Sequence, residues 1–185
     1  MAICSMGEIF YNYKKTYILN NNGLNSDFFC VLLIVFAASC HSKAKRAKQY
    51  RDNILQAVQV VIDSSLNYGD GIQSYKKSKA IYVQQQYFNL IEQTIEKIKA
   101  QSDFEGDTTL AYYSLEMLAF YKNSLDKEFS PFLNAVKQET FTAEEKQTAD
   151  SLYSAFAITE NKYWERFNWA EKKFYKENEI AKVDK

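Results

Sequence analysis

TAEEKQTADSLYSAFAITENKYWERFNWAEKKFYK, residues 142–176, is the stretch that settles the fold class. Thr142 followed three residues later by Glu145 is a capping box. The threonine hydroxyl accepts from the Glu145 N–H, and the Glu145 carboxylate reaches back to the N–H of Thr142. Beyond it Ala149, Leu152, Tyr153, Phe156, Tyr163, Phe167, Ala170 and Phe174 recur at helical spacing, one face of a helix. The pattern predicts a helix of about 51 Å at 1.5 Å per residue.

Three shorter helices precede it. Leu110, Ala111, Met117, Leu118, Tyr121, Leu125 and Phe129 mark a helix from Thr108, widened by Tyr113, Leu115 and Phe120 into an arc broad enough for burial on two sides. Ser130-Pro131 then breaks or kinks it, because proline lacks a donor and clashes with the carbonyl of Lys127. Alternatively Ser130 caps a short new helix with Pro131 in its first position. Residues 73–101 carry a second stripe, from Ala80/Ile81 through Gln84, Tyr87/Phe88, Ile91 and Ile95 to Ile98. Their stop is Phe104-Glu105-Gly106-Asp107, where Gly106 suits a left-handed turn and Asp107 an N-cap. Residues 45–68 carry the first stripe, Ala47, Tyr50, Ile54, Ala57/Val58, Val61 and Leu66, closed by the glycines of Asn67-Tyr68-Gly69-Asp70-Gly71. Short links make neighbours antiparallel. The expectation is an all-α, antiparallel four-helix bundle with a long C-terminal helix, preceded by a signal peptide.

Composition agrees. Five glycines and one proline in 185 residues are too few for the turns of a sandwich or barrel. Aromatics at 16% argue against disorder. Lys+Arg and Asp+Glu both number 23, which argues against a general electrostatic affinity for nucleic acid, and no nucleic-acid partner is expected.

Phe28 to Ala38, FFCVLLIVFAA, is an unbroken apolar run of eleven. A bilayer span takes about 20 residues. Eleven suits the apolar core of a secretory signal followed by small residues. Ala37-Ala38-Ser39-Cys40 resembles the lipobox of bacterial lipoproteins. The resemblance implies cleavage before Cys40, recognition through Ala37, Ala38 and Ser39, and a diacylglycerol on the Cys40 thiol. Ala37 stands where that family prefers Leu, and Lys14 and Lys15 lie well upstream of the apolar run. A start codon placed too far upstream would account for the polar residues 17–27. The alternative is a short buried helix with Cys40 an ordinary thiol. The other cysteines, Cys4 and Cys30, precede the cleavage point, so residues 41–185 contain none and form no disulfide.

The expected organisation is a signal peptide with a possible upstream extension over 1–39, the lipidated cysteine and a basic tether over 40–48, and the bundle over 49–185. In the tether, Lys43, Lys45, Arg46 and Lys48 are basic, and no acidic stretch follows Cys40. By resemblance this favours the periplasmic side over the cell surface. The body is also loosely similar to helical-bundle envelope lipoproteins, with no motif that carries site residues over.

His41 is the one histidine, which excludes Glu-x-x-His di-iron sites, zinc clusters and a Ser-His-Asp arrangement in the body. Gly69-Asp70-Gly71 lacks the preceding strand and later glycine of a phosphate loop. Neither a cofactor nor a metal is expected. Glu92 with Glu96, and Glu144, Glu145 and Asp150, are the carboxylate groupings. Ion pairing and the positive helix N-terminus explain them better than catalysis does. Two aromatics fall off the core stripes. Trp169 is flanked by Glu165, Arg166, Lys172 and Lys173, its neighbours on the helix surface, and Tyr112 lies near Glu116. Both are candidate partner-binding residues. For Trp169 the alternative is packing on the start of the first helix or on the tail. For Tyr112 it is a half-buried ring with its hydroxyl in water.

The expected function is therefore a non-enzymatic, lipid-anchored module of the cell envelope. It would contact the membrane through its anchor and act through protein contacts with other envelope components. The alternatives are a binding protein for a small apolar or aromatic ligand between the helices, an enzyme using converging carboxylates, and a cytosolic protein with residues 28–38 buried.

Overall fold

The structure, a computed structural model, describes the backbone of residues 26–101 and 103–182 and the side chains of residues 43–101 and 103–181. The chain separates into two units at the Cys40–His41 bond. Ala37, Ala38, Ser39 and Cys40 fall within the first helix, α1 (Ser26–Gln73), but their side chains lie outside the described residues. The same holds for the whole apolar run, residues 28–38.

From Lys43 onward the residues pack as a bundle. α2 is Lys77–Lys99, α3 is Thr109–Ser124, α4 is Ser130–Ala135 and α5 is Ala143–Glu177. A π-helical turn, Leu125–Phe129, joins α3 to α4 without interrupting the rod, so among the described residues the bundle has four rods and no strand. Asn53 of α1 donates to Gln101 beyond the end of α2, and Lys122 of α3 bonds Glu92 of α2. Tyr121 of α3 bonds Glu160 of α5, and Arg51 of α1 bonds Glu171 of α5. Contacts run in opposite senses along each pair of rods, Asn53–Gln101 with Tyr68–Tyr87, Glu92–Lys122 with Gln84–Ser130, and Tyr113–Trp169 with Phe129–Phe156, so sequential rods are antiparallel, and α5 closes the ring against α1 through Arg51–Glu171. The expected bundle is the observed one.

The capping box forms as the sequence reads. Thr142 N–H donates to Glu145 Oε2 at 2.7 Å, and Glu145 N–H donates to Thr142 Oγ1 at 3.3 Å. The other early turn is also legible. Phe104 and Asp107 exchange two backbone hydrogen bonds at 3.0 Å across Glu105 (φ 53°) and Gly106 (φ 89°), a two-residue turn with both central residues left-handed. Asp107 Oδ1 accepts from Thr109 N–H at the mouth of α3.

Three sequence expectations change. First, Gly69 and Gly71 do not end α1, which runs on to Gln73. A Cβ at Gly69 would collide with the Tyr153 ring, and one at Gly71 with Val83. These glycines let neighbouring rods approach. The actual stop is Tyr75, left-handed at φ 55°, held by its hydroxyl on Asp150 and by its carbonyl accepting from Phe141 N–H. Second, Leu66 is 68% exposed. The inward line is Val58, Val61, Ser65, Tyr68 and Ile72, one position away from it. Third, residues 43–48 belong to α1, with Ala44 and Ala47 buried, so part of the 40–48 segment lies in the packed body. Lys43 and Arg46 there bond the Glu105 carboxylate at 2.8 and 2.7 Å and hold it below the usual carboxylate range.

Pro131 explains the π turn. In an unbroken α-helix its ring would meet the carbonyl of Lys127. Here Ser130 N–H donates to Leu125 O, five residues back. The wider turn turns less per residue, so Leu125, Phe129 and Leu133, four apart, all stay buried. The rod thus continues from Thr109 to Ala135 alongside the 35-residue α5.

Candidate interaction surface

The bundle centre is aromatic. The Tyr68 ring stacks on Tyr87 at 5.4 Å and meets Phe129 edge-on at 5.2 Å, while Tyr121 lies 5.7 Å from Phe156. Such pairs add about 0.5–1.5 kcal/mol each beyond their buried area. Burial pushes the hydroxyls of Tyr68, Tyr87 and Tyr121 far up, and that of Tyr50 to about 12. Tyr121 donates at 2.7 Å to Glu160, whose carboxyl burial raises; the bond from Tyr121 opposes that shift. The tyrosines are thus mostly core material.

The acidic groupings are dispersed. Glu92 bonds Lys122 at 2.7 Å and Glu96 bonds Lys99 at 2.9 Å. Glu145 serves the capping box, and Asp150 accepts from Tyr75. No three metal-ligating side chains gather among the described residues. A sheltered ion pair joins Arg51 to Glu171 at 2.6 Å. It borders a groove of about 460 Å³ between α1 and α5, floored by Leu55, Val58, Ile62, Trp164 and Phe167.

Trp169 and Tyr112 stand outside the core, 52% and 54% exposed. They come from different rods and meet through a third residue. The Trp169 ring lies edge-on to Tyr113 at 5.5 Å, and Tyr113 lies edge-on to Tyr112 at 5.1 Å. The Tyr112 hydroxyl donates to Glu116 at 3.2 Å, and that bond holds its proton on. Glu116 also faces Arg166 at 3.8 Å, and the Lys173 ammonium sits 5.4 Å from the Trp169 ring centre. Trp169 therefore packs on α3 rather than on the start of α1.

Tyr113 was missed because its wheel position counts it as core. It is half-buried, with one edge in the interior and one under Trp169. The continuation of the cationic row to Lys162 and Lys176 was missed too. Both lie seven residues from Trp169, a spacing that returns to the same face after two turns.

No family model, no curated protein and no solved structure matches this chain.

Proposed function

We propose that the chain is a lipid-anchored, non-enzymatic helical module of the cell envelope that acts through contacts with other envelope components, proteins among them. One observation carries the reading. The chain divides after Cys40, one residue beyond the Ser39–Cys40 bond at which a lipobox would be processed, and the buried residues of the body begin at Ala44 and Ala47. The described buried side chains begin at Ala44, after that point. Cys40 would carry the lipid, and the patch of Tyr112, Tyr113 and Trp169 would be a contact surface. The periplasmic side is favoured over the cell surface by the absence of an acidic stretch after Cys40.

The test is intact mass and membrane fractionation in a Gram-negative host, wild type beside Cys40→Ala. The expected species begins at Cys40, carries added acyl mass, and leaves the membrane fraction in the variant. A full-length, unmodified wild-type chain would overturn the reading. A second reading, a small apolar or aromatic ligand held between helices, is favoured by the α1–α5 groove with its Trp164 and Phe167 floor. Its test is quenching or shift of Trp164 emission on addition of an indole or naphthalene probe, lost in Phe167→Asp.

A further inference from the structure

α5 presents two chemically distinct faces. Phe167, Ala170 and Phe174 point into the core and are buried. The opposite face carries Trp169 and, within two turns of it, Lys162, Arg166, Lys172, Lys173 and Lys176. Glu165 is the acid among them. Neither Lys162, Lys172 nor Lys176 forms an ion pair with a described residue. In a chain whose total charge is zero, this is a local cationic excess. The row from Lys162 to Lys176 is about 21 Å long at 1.5 Å per residue. Ile158, 64% exposed, extends its line toward the middle of α5.

We propose that this outward face of α5 docks on the surface of an anionic lipid bilayer. The lysines would lie against the headgroups and the Trp169 ring would enter the headgroup–acyl boundary. Three observations favour a bilayer over other partners. The cations match an anionic surface, whose attraction for Lys and Arg adds up residue by residue. An indole beside them has the amphipathic character of an interfacial anchor. The face is a convex helix side, and Trp169 and Tyr112 do not line the α1–α5 groove, so a broad flat partner fits better than an enclosed segment. The inward face of α5 is committed to the core, so only side-chain tips enter the lipid. No described helix is long and apolar enough to cross a membrane.

The proposal deepens the contact-surface reading of Trp169 and names what it touches. It does not depend on a lipid at Cys40, although a body held there would meet the same surface. The end of α5 lies beside residues 50 and 51 of α1, where Tyr50 packs 5.3 Å from Phe174 and Arg51 bonds Glu171.

The experiment uses the full-length chain with Cys40→Ala and Trp164→Phe, which removes any acyl anchor and leaves Trp169 as the single indole. Vesicles of phosphatidylcholine alone are compared with vesicles containing phosphatidylglycerol, both with brominated acyl chains. Residues 28–38 can hold the chain on either vesicle, so the readout is Trp169 emission rather than sedimentation. The expected result is a blue shift and quenching with the anionic vesicles alone, reversed by high salt. Combined Lys162→Gln, Lys172→Gln and Lys176→Gln should weaken the apparent affinity on the order of 100-fold with unchanged helical circular dichroism. The Cys40→Ala chain paired with its Trp169→Phe variant gives the same contrast if Trp164→Phe disturbs the fold. Emission unmoved by anionic vesicles, or moved equally by neutral ones, overturns the proposal. A response to polyglutamate with none to vesicles assigns the face to an acidic protein and also overturns it. Either failure leaves Cys40 acylation, measured by mass in cells, untouched.

Discussion

Glu160 shows how one residue links the core to solution conditions. Its carboxyl is half-buried, accepts from Tyr121, and burial raises it above the ordinary carboxylate range. Between the unfolded and folded titrations, the native state holds more protons than the unfolded chain. Stability then falls as pH rises through that window. Glutamine keeps an acceptor for Tyr121 and has no charge to bury. In urea unfolding at a series of pH values, Glu160→Gln should be more stable than wild type at neutral pH. The advantage should fade as pH drops toward about 4, where unfolded glutamates protonate. The subtraction matters, because Glu105 titrates in the opposite sense: its lowered carboxyl contributes stability that is lost as pH falls. A difference that stays constant with pH would remove Glu160 from this account. The side chain was not singled out in the sequence, since an isolated acid on an amphipathic helix reads as exposed.

At the scale of the element, the rod from α3 through α4 depends on matching a proline to a π turn. Deletion of Lys127, an exposed residue in that turn, returns the segment to ordinary helical spacing. Leu133 keeps its inward place, because the π turn is a one-residue insertion. The Pro131 ring then meets the carbonyl of Asp126. The deletion should cost about 3 kcal/mol in chemical denaturation. Adding Pro131→Ala to it should restore most of that loss. If the two changes are simply additive, the turn does not exist to accommodate the proline. The sequence left a break or kink, or a short new helix capped by Ser130, open at Ser130-Pro131. The short helix is realised as Ser130–Ala135 with Pro131 in its first turn, but Ser130 begins it rather than capping it, and burial of Phe129 and Leu133 keeps it continuous with α3 through the π turn.

At the scale of the molecule, residues 41–185 form one unit with a continuous core that has contributions from all four rods. About 145 residues bury roughly 70% of the surface of their unfolded chain, enough for stability without a disulfide. Produced alone, residues 41–185 should give a helical circular dichroism spectrum. They should unfold in a single urea transition that coincides by fluorescence and circular dichroism. Separate transitions would show that residues 1–40 complete the core. The surface has its own molecular logic. Exposed ion pairs such as Lys99–Glu96 are worth at most about 1 kcal/mol each, so charge here shapes contacts more than stability.

The sequence by itself determined the helices, their antiparallel order, the capping box at Thr142 and the left-handed turn at Gly106. These depend on local physics: the period of apolar residues, a reciprocal pair of hydrogen bonds, and the freedom of a residue without Cβ. It also placed Trp169 and Tyr112 outside the core, by their neighbours on single helices. Only the tertiary structure decided that Tyr113 joins them into one patch, because that contact crosses from α3 to α5. Only it showed Gly69 and Gly71 as points of close approach rather than stops, since the atoms that need the space, in Tyr153 and Val83, belong to other rods. Periodicity reports which face of a helix turns inward; which partner it meets there depends on residues far away in the chain.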